Sequence, residues 1–175
     1  MKLPPHRILL DSLTIQTRVQ ELGQEISQFY QETDSLILVG ILKGALYFLA
    51  DLSRAISLPS QVDILAVSSY TGTQSSGTVT ILKDLDIEIQ GKDILIVEDI
   101  LDTGCTLNAI KDCLASRHPR SLRICVFLDK PDRRIVPVPV DFTGFTIPNH
   151  FVIGYGLDLN QAFRNLPYIA LLNPA

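Results

Sequence analysis

Paired cysteines are missing from this chain. Its 175 residues hold only Cys105, Cys113 and Cys125, with no CxxC spacing, which excludes a disulfide framework. The three histidines, His6, His118 and His150, are too few and too scattered to complete a structural zinc site. Long apolar runs are also lacking, so no segment is expected to span a bilayer. Residues 1–6 have no apolar centre of the kind a signal peptide needs, and a reducing, cytoplasmic setting is the expectation. Positive charge is not in excess: 15 Lys and Arg against 19 Asp and Glu give −4, which argues against a surface built to coat nucleic acid. Phosphorylated small molecules stay open as substrates, because a bound divalent cation can supply the missing charge. There is no internal repeat and no low-complexity tract.

What is present is a well-mixed globular composition, 46% hydrophobic and 19% charged, enough to build a sizeable core. Ile15, Val19, Leu22, Ile26 and Phe29 alternate at steps of four and three, which predicts an amphipathic helix within residues 14–33. Residues 35–42 (SLILVGIL) read as a strand buried on both faces. Residues 44–56 are helical in spacing, and 61–70 strand-like. The small, polar stretch 71–78 (TGTQSSGT) predicts a mobile loop. Strands are expected at 79–85, 93–97 and 121–128, and a helix at 106–117 that His118-Pro119 ends. Beyond Pro131 the chain is irregular, with short β-like pieces at 142–147 and 151–155. Buried strands alternating with helices predict an α/β fold with a central, mostly parallel sheet. Ligands in such folds sit beyond the carboxyl ends of the strands. No GxGxxG opens the first crossover, which argues against a dinucleotide-binding dehydrogenase.

The strand at 93–97 runs into Glu98-Asp99-Ile100-Leu101-Asp102-Thr103-Gly104-Cys105-Thr106, after which a helix begins. Three carboxylates therefore precede a helix N-terminus, whose free N–H groups form an anion site. Thr103 and Thr106 add hydroxyl donors, and Gly104 permits close backbone approach. Acids beside a phosphate cradle suit a divalent cation or sugar hydroxyls.

The string VEDILDTGCT closely resembles the phosphoribosyl pyrophosphate signature of type I phosphoribosyltransferases, with the hypoxanthine–guanine branch nearest. Further matches follow in order: Leu42-Lys43-Gly44-Ala45, Ser68-Ser69-Tyr70, Leu128-Asp129-Lys130, the string FVIGYGLD at 151–158, and Phe163-Arg164-Asn165-Leu166-Pro167. The resemblance implies one domain over residues 1–175. Its core spans about 34–130, and a small hood comes from the N-terminal segment and about 131–175. It implies transfer of a 6-oxopurine to phosphoribosyl pyrophosphate, with Mg2+ as cofactor and a homodimer or homotetramer as assembly. It implies no nucleic-acid or membrane partner.

Roles carry over residue by residue. Asp102 is implied as general base toward the purine N7, and Glu98 and Asp99 as ribose-binding acids. Strand side chains alternate, so if the strand continues through both acids they cannot meet the ribose alike; Asp99 is expected as the direct contact. Thr103, Gly104, Cys105 and Thr106 are implied to bind the 5′-phosphate, with Cys105 departing from the longer or polar residue of many relatives. Lys43 and Gly44 (after a peptide often cis in the family) and Arg164 are implied for pyrophosphate, and Asp158 for the metal. Lys130 is implied as donor to the purine O6, Phe151 as a stacking face and the Val152 backbone at the purine edge. Ser69 and Tyr70 lead into the loop that the resemblance implies is a lid. A xanthine-preferring transferase and, at greater distance, a nucleotide-sensing RNA-binding regulator on the same fold are the alternatives; the regulator needs a basic face, which this composition lacks.

Overall fold

The structure is a computed structural model that describes residues 2–69 and 79–172. In chain order the elements are β1 (His6–Leu10), α1 (Ser12–Phe29), β2 (Leu36–Leu42), α2 (Leu46–Ala55), β3 (Ser60–Ser69), β4 (Val79–Lys83) and β5 (Asp93–Leu101). They continue with α3 (Cys105–Ala115), β6 (Ser121–Asp129), β7 (Phe142–Thr146), β8 (Val152–Ile153) and β9 (Ile169–Leu172). A single 3-10 turn, Pro131–Arg133, follows β6.

Six strands form the main sheet in the order β4-β3-β2-β5-β6-β7. All neighbours are parallel except β3 and β4. The period-two alternation of the central strands sorts their side chains between two cores. On one face Leu36, Leu38, Leu95, Val97, Cys125 and Phe127 pack with the apolar stripes of α1 and α2. On the other, Ile37, Val39, Ile94, Ile96, Ile124 and Val126 pack against Leu107, Ile110 and Leu114 of α3. The all-apolar runs of β2, β5 and β6 are thus the strands covered on both sides.

A second, antiparallel sheet, β1-β9-β8, joins the two ends of the described chain. Helix α1 starts two residues ahead of the expected segment because the Asp11 side chain caps it, accepting from the Thr14 N–H at 2.8 Å. It ends at Tyr30, whose ring is buried. Strand β5 runs to Leu101 rather than stopping at Val97, since β6 pairs with it through Asp129. Strand β8 is shorter than expected because Gly154, Tyr155 and Gly156 turn the chain with positive φ. Strands β1 and β9 carried no expected assignment; each is short, and their pairing joins opposite ends of the sequence. No described helix is long and apolar enough to cross a membrane. The loop expected at 71–78, with Tyr70, lies outside the described residues.

Candidate active site

The carboxyl end of β5 turns into α3 through Asp102, Thr103 and Gly104. Gly104 sits at φ 85°, a left-handed conformation that disfavours side chains. A Cβ there would also lie 2.2 Å from the Val136 carbonyl oxygen. No side chain caps α3 from Gly104; the Cys105 N–H reaches the Thr103 Oγ1 at 3.4 Å, a long bond that an anion can displace. Beside them lies a cavity of about 90 Å³ lined by Glu98, Ile100, Asp102, Thr103, Gly104 and Thr106, among others. Cys105 is half-buried at the first position of the helix.

Although β5 continues through both acids, the Glu98 and Asp99 carboxyls are hydrogen-bonded to each other, so strict alternation to opposite faces does not hold at this end of the strand. Glu98 lines the cavity. Asp99 is buried and presses on Gly44, where a Cβ would lie 1.8 Å from its Oδ2. Glu98 shares a wall with the phosphate cradle, and the Asp99 carboxyl adjoins it from the Gly44 side. Burial pushes the Glu98 carboxyl well above the usual range, and the neighbouring Asp99 charge raises it further. Burial raises Asp99 too, against a hydrogen bond from Glu98 and the more distant charge of Arg164. A half-buried acid hydrogen-bonded to a buried one suits a ligand that neutralises them or satisfies their remaining lone pairs.

Asp102 leaves the sheet plane at the turn. Its Oδ1 is buried without an aligned hydrogen bond, although the Arg133 Nε stands 3.2 Å away. The distance makes an ion pair; the angle leaves the oxygen free to accept. Lys130, the residue after β6, is almost fully buried, and its Nζ donates to the His150 carbonyl at 2.6 Å. Burial holds its pKa below the ordinary lysine value, with Asp102 pulling it back up. Phe151 is 56% exposed, so it is not a core residue; Val152 is buried in β8, paired with Leu171.

On the Asp99 side, the Leu42-Lys43 peptide is cis. Gly156, at φ 103°, is packed so closely that a Cβ would lie 2.0 Å from the Gly44 carbonyl oxygen. Arg164 donates to the Gly156 carbonyl at 2.6 Å and pairs with Asp158 at 2.7 Å. The Asp158 Oδ2 accepts the Gln161 N–H at 2.7 Å. The Gln161 amide oxygen accepts from Arg164 at 3.2 Å and from the Lys43 Nζ at 3.4 Å. Lys43, Gly44, Asp158 and Arg164 are thus brought together, and Gln161 joins them unannounced by the sequence. Ser69 is the last residue of β3, while Tyr70 lies outside the described residues. Among the described residues, no three His, Cys, Asp or Glu side chains surround a point that could hold a metal by themselves.

A larger hollow of about 400 Å³ between α1 and α2 is lined by Gln16, Thr17, Asp51 and Arg54. Its charges are closed on one another: Asp51 pairs with Arg54 and accepts from the Tyr155 hydroxyl.

Residues 8–160 match the phosphoribosyl transferase domain. The chain is 51% identical over 173 residues to hypoxanthine-guanine phosphoribosyltransferase of Mycobacterium avium, covering 95% of this chain and 85% of the relative. It is 48% identical over 164 residues to hypoxanthine phosphoribosyltransferase of Escherichia coli strain K12, covering 93% and 92%. The crystal structure of a hypoxanthine phosphoribosyltransferase from Staphylococcus aureus superposes with a TM-score of 0.93 at 46% identity, covering 96% of this chain and 91% of that one. With the open helix N-terminus and its flanking acids in the same place in the chain as the signature, the protein belongs to the type I phosphoribosyltransferase family.

Proposed function

We propose that this protein is a purine salvage enzyme of the hypoxanthine–guanine branch. It joins a 6-oxopurine to phosphoribosyl pyrophosphate, forming the nucleoside monophosphate and releasing pyrophosphate. The observation that carries this reading is the cavity at the β5–α3 turn, where the amides that open the helix adjoin Glu98 and Asp102.

The bond between the ribose anomeric carbon and the pyrophosphate oxygen breaks, and its electron pair leaves with pyrophosphate. The purine N9 forms the new bond, and the N7 proton passes to the Asp102 carboxylate, whose Oδ1 is free to accept it. Thr103, Gly104, Cys105 and Thr106 hold the 5′-phosphate, and Glu98 and Asp99 serve the ribose as a hydrogen-bonded pair of acids. Lys43, Gly44 and Arg164 receive the pyrophosphate; the guanidinium fork suits its oxygens. The Lys130 ammonium offers donors and no acceptor, so it fits a 6-oxo group and leaves a 6-amino group unmatched. Phe151 supplies a stacking face, the Val152 backbone meets the purine edge, and β1, β8 and β9 form the hood over it. Ser69 ends β3 ahead of Tyr70 and the segment read as a lid, which lie outside the described residues.

The Asp158 carboxylate, oriented by Arg164 and the Gln161 N–H, fits Mg2+, which keeps several waters and needs few protein oxygens. Magnesium, when bound, supplies positive charge against the pyrophosphate oxygens.

The test is product formation from phosphoribosyl pyrophosphate with hypoxanthine, guanine, xanthine and adenine, each with and without magnesium. Hypoxanthine and guanine should turn over only with the metal, and adenine about 10,000-fold less efficiently. Xanthine as the best base would move the protein to the xanthine-preferring reading; no product from any base would remove the assignment.

A further inference from the structure

Arg134 does not line the cavity and has no role assigned above, yet it grips the turn that carries both Asp102 and the phosphate cradle. Its Nε donates to the Asp102 carbonyl at 3.1 Å and its Nη2 to the Leu101 carbonyl at 3.3 Å. The same Nη2 is ion-paired with the Asp129 carboxylate, which holds the guanidinium in place. Both side chains are largely withdrawn from solvent, at 18% and 22% exposure. The backbone that follows extends the grip: the N–H groups of Ile135 and Val136 donate to the Thr103 carbonyl at 2.9 and 3.0 Å. The Lys130 N–H also donates to Leu101, at 3.0 Å. Three consecutive carbonyls, 101 to 103, are therefore all drawn to one strap.

In a trans peptide the C=O and the next N–H point in opposite directions. Only the Leu42-Lys43 peptide is cis among the described residues. Fixing the Asp102 carbonyl on Arg134 thus aims the Thr103 N–H away from the strap, and fixing the Thr103 carbonyl does the same for the Gly104 N–H. The cradle amides and the start of the Asp102 side chain share these peptide planes. A planar fork can hold two carbonyls and a carboxylate at once, which a lysine ammonium on its flexible stem cannot do in the same geometry.

Resting on the proposed role of Asp102, we propose that Arg134, held by Asp129, is a positioning residue for the reaction: it sets the peptide planes that aim the general base and the cradle amides. The strap makes this a property of the turn, not of the substrate contacts.

The experiment measures single-turnover rates on hypoxanthine and phosphoribosyl pyrophosphate for wild type, Arg134→Gln, Arg134→Lys, Asp129→Asn and the Arg134→Gln/Asp129→Asn double variant. Inosine monophosphate binding and thermal midpoints are measured alongside. Arg134→Gln should lose about 100-fold in rate per folded enzyme, the scale of a misplacement near 1 Å. It should also bind the monophosphate more weakly. Arg134→Lys should recover part of both. Asp129→Asn should lose less, and the double variant should be no slower than Arg134→Gln, since both changes open one clamp. Rates in the folded variants close to wild type, or losses that multiply in the double variant, would overturn the proposal. If Arg134→Gln does not fold, the near-isosteric Asp129→Asn and the lysine variant decide it by the same rate. An inactive wild type would remove the functional reading and this inference with it; an active wild type with indifferent variants removes this inference alone.

Discussion

At the scale of single residues, the chemistry turns on an acid whose oxygen is buried but unengaged. Asp102 Oδ1 has an arginine near it and no aligned donor, which leaves it able to take a proton. Asp102→Asn keeps the shape and removes the basicity. Steady-state kinetics should show kcat lower by about 100- to 10,000-fold, the usual worth of a positioned base, with KM for phosphoribosyl pyrophosphate little changed. A kcat near wild type would transfer the proton to another acceptor. The role proposed for this residue comes from the resemblance of the string Glu98 to Thr106 to the family signature, not from spacing. Which of Glu98 and Asp99 meets the cavity was not legible. That depends on how β5 departs from strict alternation at its carboxyl end, which pairing with β6, a partner distant in sequence, carries to Leu101. Arg134 and Gln161 left no signal either, and Asp129 entered only within the Leu128-Asp129-Lys130 match, without a role: their contacts are to backbone carbonyls, to one another and to a loop, and such contacts impose no periodicity.

At the scale of elements, the site is made of turns pressed against one another. Gly44 lies under Asp99, Gly156 under the Gly44 carbonyl, and Gly104 under the Val136 carbonyl. Each contact is too close for a Cβ, so these glycines hold the strand ends together as much as they let the chain turn. Gly104→Ala meets two obstacles: a left-handed φ, which disfavours a side chain by about 1–2 kcal/mol, and a backbone oxygen 2.2 Å from the new carbon. Chemical denaturation should show a loss of at least that size, and monophosphate binding, read by calorimetry, should weaken with it. Unchanged binding would mean that the turn contributes nothing to the cradle. The helices and the three central strands were legible, since each buries a continuous stripe or run. Strands β1 and β9 were not: they are short, half-exposed in part, and defined only by each other across the length of the chain.

At the scale of the whole molecule, the two ends of the parallel sheet do different work. The carboxyl ends of β2, β5 and β6 carry Lys43, Asp102 and Lys130, as expected for ligand-binding α/β sheets. At the opposite end, Asp93 opens β5 nearly fully buried. It accepts from Arg120 Nε at 3.0 Å, Ser121 Oγ at 2.7 Å and Thr33 Oγ1 at 2.8 Å. The Arg120 hydrogen bond, opposed by burial and helped by Ser121 and Thr33, lowers the Asp93 pKa from 3.8 to about 2. As pH falls, the unfolded chain takes up this proton first, so the stabilisation is complete above about 4 and is lost on the way down to about 2. Its size is roughly 2 kcal/mol. Asp93→Asn should therefore be less stable than wild type at pH 6, with the gap narrowing by that amount as urea unfolding is repeated towards pH 2. Turnover at neutral pH should be unaffected, because nothing in the Asp93 network reaches the β5–α3 turn. A gap that stays constant across this range would show that Asp93 stabilises the sheet by packing and neutral hydrogen bonds. A turnover that falls with the substitution would show that the two ends of the sheet are coupled.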